Sequence, residues 1–182
     1  MRHLPNLICL VRIALIWPIA AALAAGEQLA AVSLFVAAGA SDGLDGYLAK
    51  RFNWTSALGK VLDPLADKLL LVTLFIETAW LGLIPWWLSA AVVARDVLIG
   101  LGALVYRLWF GPLRGRPTVL SKINTAVQLL YLLLVMLNAA WGLPPKEMLD
   151  ATAALTLATT VLSGLDYVVT FTRRAWTPAS TI

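Results

Sequence analysis

Four aspartates, Asp42, Asp45, Asp63 and Asp67, lie close together in an otherwise strongly apolar chain. Spacings of three and four residues put each pair on one face of a helix. A carboxylate in an apolar helix is costly unless it meets a metal, a proton or a substrate. An all-carboxylate set offers only oxygen, which favours Mg²⁺, Mn²⁺ or Ca²⁺ over zinc or copper. Four negative charges exceed what one divalent ion cancels, whereas two ions about 3.5–4 Å apart sharing bridging carboxylates would balance them. Such a pair suits displacement at a pyrophosphate, where the metals neutralise oxygens and stabilise the leaving phosphate. Gly46 and Gly59 carry no side chains, so a nucleotide could approach the backbone there. Spacing alone leaves three readings open: phosphoryl chemistry, cation transport, or a polar network packed between helices.

The elements that hold these residues follow from composition. The 182 residues are 60% hydrophobic and 13% charged, whereas a soluble domain is about half apolar and a quarter charged. This balance points to an all-α integral membrane protein. The net charge of +4 does not imply nucleic acid, because the basic residues sit at segment ends and not on one soluble face. One cysteine, Cys9, and one histidine, His3, leave no intrachain disulfide, no multi-cysteine metal site and no obvious Ser-His or Cys-His pair. The N-terminus mimics a signal peptide. Its apolar run of about 20 residues is long for one, and Arg12 and Pro18 interrupt it. It is expected to be a retained first helix.

Six membrane helices are expected, over residues 4–25, 28–49, 57–81, 85–108, 119–141 and 147–172, each about 20 residues long or more. Gly and Pro punctuate most of the breaks. The connections are too short for a separate soluble domain, so 1–182 reads as a single membrane domain. Arg2, Lys50, Arg51, Arg107, Arg114, Arg116, Lys122, Arg173 and Arg174 flank one side, and Lys146 alone lies in a loop on the other. The positive-inside rule then makes both termini cytoplasmic. Trp86 and Trp87 fall at the opposite interface. Asp42 and Asp45 end the second helix and Asp63 and Asp67 begin the third. At 1.5 Å per residue they lie about 5–15 Å inside the cytoplasmic end. The expected architecture is a six-helix bundle with its active site in the cytoplasmic half.

The order of these residues also resembles a named signature. D-x-x-D-G-x-x-A-R, eight residues, then G-x-x-x-D-x-x-x-D marks the CDP-alcohol phosphotransferases (phosphatidyltransferases). The chain fits it except that Lys50 stands at the arginine position. The resemblance implies a six-helix core, usually paired into homodimers, that displaces CMP from a CDP-linked lipid or alcohol. It implies metal ligation by Asp42, Asp45, Asp63 and Asp67, with Asp67 also the base toward the acceptor hydroxyl. It implies two ions, Mg²⁺ or Mn²⁺, and CDP contacts at Asp45, Gly46, Ala49, Lys50 and Gly59. Lys50 keeps the charge of arginine without its planar fork, and Arg51 stands beside it.

Further motifs bear on the acceptor. Leu4-Pro5-Asn6-Leu7 with Arg12 resembles the branch that holds phosphatidylglycerophosphate and cardiolipin synthases. Arg95-Asp96 and the run from Ser121 to Gln128 are most similar to CMP-forming cardiolipin synthases. Glycerophosphate-using relatives often carry a second lysine where this chain has Asn124. A glycerol 3-phosphate dianion rewards clustered cations, whereas phosphatidylglycerol needs fewer cations and an opening to lipid.

Arg95, Arg116 and Lys122 are therefore the acceptor-side candidates. Their ordinary alternatives are a loop charge for Arg116 and a pairing of Arg95 with Asp96. Arg12 either meets the head group or snorkels to the interface. Gly100 to Ala103 serves close helix packing, internal or between subunits. The preferred reading is a bacterial inner-membrane enzyme that transfers phosphatidyl from CDP-diacylglycerol to phosphatidylglycerol, giving cardiolipin and CMP. Glycerol 3-phosphate is the alternative acceptor. A divalent-cation transporter is the rival from another class, disfavoured by the apolar run from Leu69 to Phe75, which interrupts a conduction path.

Overall fold

The structure is a computed structural model that describes residues 4–52, 59–110 and 118–176. Side-chain detail leaves out 4–9, 42, 44–52, 59–64, 106–107, 110 and 171–176. Among the described residues every regular element is a helix: α1 (Leu4–Ala24), α2 (Gln28–Phe52), α3 (Gly59–Trp80), α4 (Trp86–Phe110), α5 (Val119–Trp141) and α6 (Lys146–Trp176). The expected elements are all present. The largest departures are at the charged ends, where α2 continues through Lys50 and Arg51 and α6 continues through Arg173 and Arg174. Polar residues end an apolar window without ending a helix. The 31 residues of α6 rise about 46 Å at 1.5 Å each, more than the roughly 30 Å of a hydrocarbon core.

Turn chemistry sets where the helices stop. Gly26, Gly82 and Gly142 take φ of 75°, 72° and 71°, a left-handed conformation that glycine adopts without steric cost. The Gly142 N–H closes α5 by donating to the Asn138 carbonyl at 2.8 Å. At the other end of α5, the Thr118 hydroxyl accepts from the Ser121 N–H at 3.2 Å, satisfying one orphan donor of the first turn.

The core joins five of the helices. Ile19 and Leu23 of α1, Val32 and Phe35 of α2, Leu71, Leu74 and Phe75 of α3, Leu88 and Val92 of α4, and Leu132 and Met136 of α5 are buried in one cluster. α1 packs on α2 and α3, α3 also on α4, and α6 on α4 and α5. The first helix is thus an integral part of the bundle. The outer faces are apolar as well. Trp17, Leu108 and Val119 are exposed, the reverse of a soluble surface and consistent with lipid around the bundle. Trp86–Val105, Val119–Trp141 and Lys146–Thr170 are each long and apolar enough to cross a membrane. Trp80 and Trp86 meet edge to face across the α3–α4 turn, with ring centroids 6.0 Å apart, and Trp86 and Trp87 are exposed there.

Of the small residues in α4, Gly102 packs internally. A Cβ added there would sit 3.4 Å from a Tyr167 ring carbon of α6, whereas one at Gly100 would meet open space.

Candidate active site

The first two motif aspartates fall on α2, the last two on α3, and Gly59 opens α3. The side chains of Asp42, Asp45, Ala49, Lys50 and Asp63 lie outside the described residues, and so does Arg116 altogether. Among the described side chains no three His, Cys, Asp or Glu residues come together.

Asp67 is described, and its surroundings are specific. Arg12 of α1 donates from Nη1 to its Oδ1, across 55 residues of sequence. The arginine is buried to 1% exposure, while the Asp67 side chain keeps 43% of its surface accessible. Arg12 does not snorkel, because its guanidinium stays inside the bundle. It fixes one carboxylate oxygen and ties α1 to α3. Asp67, on α3, is thereby anchored through one oxygen while part of its side chain stays accessible. That arrangement suits a group that must hold a geometry and still reach a ligand.

The next residue along α3, Lys68, opens a second cluster. Its ammonium donates to Asp96 Oδ1 of α4 at 2.5 Å. The same oxygen accepts from Arg95 Nη1 at 2.6 Å. Arg95 Nη2 also donates to the Ser121 hydroxyl of α5 at 2.9 Å and to the Ser163 hydroxyl of α6. Four helices therefore meet on one buried carboxylate–guanidinium pair. The Arg95 and Asp96 side chains are each 4% exposed, against 38% for Lys68. Lys68 lies within electrostatic reach of Asp67, Asp96 and Arg95, so the two clusters form one charged region.

Deeper along α5 and α6, a polar seam continues from this region. Thr160 donates to Asn124 Oδ1 at 3.0 Å, and Gln128 Nε2 donates to the Thr160 hydroxyl at 3.3 Å. Asn124 and Gln128 are wholly buried. Asn124 thus faces α6.

The acceptor-side candidates separate by burial. Lys122 is exposed at the start of α5. Arg95 is enclosed and held by Asp96, Ser121 and Ser163, a geometry of positioning more than of head-group contact. The pairing of Arg95 with Asp96 was legible in their adjacency. Lys68 was not singled out, although a lysine inside an apolar helix is itself costly without a partner, and that was the available signal. The apolar run below it, from Leu69 to Phe75, is largely core: Leu70, Leu71, Leu74 and Phe75 are buried.

A cavity of about 730 Å³ lies at the other end of α3, lined in part by Ile84, Tyr131, Asn138, Lys146 and Asp150. It is remote from Asp67, and the carboxylate chemistry does not reach it.

Comparison with known proteins decides the family. The CDP-alcohol phosphatidyltransferase model matches residues 2–171. The chain belongs to that family. As a CDP-alcohol phosphatidyltransferase family member it is similar to a probable CMP-forming cardiolipin synthase of Drosophila melanogaster, with 34% identity over 91% of this chain and 56% of that protein. The human CMP-forming cardiolipin synthase is 32% identical over 90% of this chain and 60% of its own length. A CDP-diacylglycerol–glycerol-3-phosphate 3-phosphatidyltransferase of Bacillus subtilis is 32% identical over 92% of this chain and 94% of its own length. The chain therefore spans a little over half the length of those cardiolipin synthases and nearly all of the bacterial glycerophosphate enzyme. Family membership leaves the cation-transporter reading without support.

Proposed function

We propose that this family member transfers a phosphatidyl group from CDP-diacylglycerol to phosphatidylglycerol, forming cardiolipin and releasing CMP. The observation that carries the reading is the setting of Asp67. Its carboxylate is anchored on buried Arg12, its side chain keeps 43% of its surface accessible, and it is adjacent to a cationic cluster built on Asp96. A base for the acceptor hydroxyl needs that combination of fixed position and access. The names of the relatives and the intact four-aspartate signature support the same chemistry.

In this reading six helices cross the membrane with both termini on the cytoplasmic side. Asp42, Asp45, Asp63 and Asp67 hold two divalent ions, Mg²⁺ or Mn²⁺. The donor set fits a hard cation, since all four side chains offer carboxylate oxygen. The metals, when bound, neutralise the pyrophosphate and stabilise departing CMP. Asp67 takes the proton of the acceptor hydroxyl as that oxygen attacks the β-phosphorus. Gly46, Ala49, Lys50 and Gly59 border the CDP moiety. Lys122 and Arg116 lie at the cytoplasmic end of α5 and before it, where an acceptor head group would approach.

Glycerol 3-phosphate is the second acceptor reading, favoured by the nearly full-length match to the Bacillus subtilis enzyme. The single Lys122 at the start of α5, with Asn124 buried behind it, offers fewer cations to a dianion and favours the diester. The test is release of CMP from CDP-diacylglycerol that depends on an added acceptor.

A further inference from the structure

Lys68, Asp96 and Arg95 form an arrangement that the four-aspartate chemistry does not require. Two cations share one carboxylate oxygen, at 2.5 Å and 2.6 Å. The second oxygen of Asp96 is buried, with no hydrogen-bond partner among the described residues. Among the described side chains, one carboxylate oxygen thus serves two cations within an apolar bundle, and an ammonium so placed keeps donors for a further anionic oxygen.

The cations differ in what they can still reach. Arg95 is enclosed, with its two Nη atoms committed to Asp96, Ser121 and Ser163. Lys68 keeps 38% of its side chain accessible. An ammonium has three donors, and Asp96 takes one. Asp67 precedes it in sequence and is also partly accessible. The open part of Lys68 and the open part of Asp67 thus belong to the same stretch of α3.

We infer that Lys68 is a binding residue for a substrate phosphate oxygen, held in place from behind by Asp96 and Arg95 as positioning residues. The assignment rests on the transferase reading above and extends it to a residue outside the signature. A phosphate oxygen could come from the acceptor's phosphodiester or from the donor's diphosphate. The acceptor is the expected source. Asp67 is the proposed base for its hydroxyl, and the expected CDP contacts begin on α2. In phosphatidylglycerol the reacting glycerol is esterified directly to the phosphate, so a cation beside the base would meet the acceptor phosphate as the hydroxyl reaches Asp67. A charge-assisted hydrogen bond from an ammonium at this place strengthens binding and fixes the approach.

The experiment measures KM for phosphatidylglycerol and for CDP-diacylglycerol separately, in mixed micelles, for wild type, Lys68→Gln, Lys68→Met, Lys68→Arg and Asp96→Asn. Lys68→Gln and Lys68→Met should raise the phosphatidylglycerol KM about tenfold or more, the loss expected for one charged hydrogen bond. The CDP-diacylglycerol KM should change far less. Lys68→Arg should recover most of the acceptor affinity, and Asp96→Asn should raise the same KM by a smaller factor. A rise confined to the CDP-diacylglycerol KM keeps the anion site and moves its source to the donor diphosphate. Both KM values unchanged in folded, active Lys68→Gln overturn the inference and leave the transferase reading intact. Failure of both neutral variants to fold, with Lys68→Arg folding, assigns the lysine to structure alone and also overturns it. A wild type that releases no CMP with any acceptor defeats the transferase reading and this inference together.

Discussion

Arg12 Nη1 and Asp67 Oδ1 join the first helix to the third, with the arginine buried and the aspartate half open. The pair gives α1 a positioning role, because it holds the last signature aspartate from behind. Arg12→Leu should lower both stability and turnover. Leaving a partly buried carboxylate without its guanidinium costs about 1–3 kcal/mol. Thermal unfolding in detergent and CMP release read the two losses, and Arg12→Lys should retain more of each. A folded Arg12→Leu enzyme with wild-type turnover would contradict the anchoring role.

Asp67→Asn is the complementary change. The amide keeps an oxygen that can accept from Arg12, so the fold should persist while the base is lost. Turnover should fall by about 10²–10⁴-fold, the range of a general base, with CDP-diacylglycerol binding still measurable. Asp42→Asn and Asp63→Asn should instead weaken metal-dependent nucleotide binding. Near-wild-type turnover in Asp67→Asn would show that another group takes the proton.

Removal of divalent metal should abolish CMP release, and Mg²⁺ or Mn²⁺ should restore it. Oxygen-only ligands make zinc or copper poor substitutes. Full activity after stringent metal stripping would rule out the two-ion mechanism.

The buried seam between α5 and α6 predicts a stability effect without a direct catalytic one. Thr160→Val removes two hydrogen bonds of the seam, to Asn124 and from Gln128. Each buried amide left unpaired costs about 1–3 kcal/mol. A clear fall in the unfolding temperature is expected, and an unchanged value would mean that the two amides pair with each other.

Much of this architecture was legible because long apolar helices announce themselves by length and composition. The α5 limits match expectation at both ends, since Thr118 and Gly142 carry their capping roles in their residue types. Charged ends were read less well: Lys50-Arg51 and Arg173-Arg174 lie within helices that continue past the apolar core. Asp67 was found from spacing, and the Arg95–Asp96 pair from adjacency. The partners of Arg12 and Lys68 were not, because helix periodicity gives faces and not which faces meet. Arg12 finds Asp67 across 55 residues and Lys68 finds Asp96 across 28, distances at which a single sequence carries no register. The hydroxyls around Arg95 were illegible for the same reason: only packing reveals Ser121 and Ser163 closing around it.

Orientation in the membrane rests on the lysine and arginine asymmetry. In a Cys9-free background, cysteines introduced at positions 53 and 115 should be labelled from the cytoplasmic side and one at position 145 from the other. Labelling of position 53 from outside would invert the topology and separate the site from a cytoplasmic supply of CDP-diacylglycerol.

Product analysis reads the proposed reaction itself. Purified protein is given labelled CDP-diacylglycerol with phosphatidylglycerol, with glycerol 3-phosphate, and with both together, and the lipid products are resolved. Cardiolipin and CMP are expected with phosphatidylglycerol, and cardiolipin is expected as the main product when the two acceptors compete. Phosphatidylglycerophosphate without cardiolipin would contradict the proposed reaction.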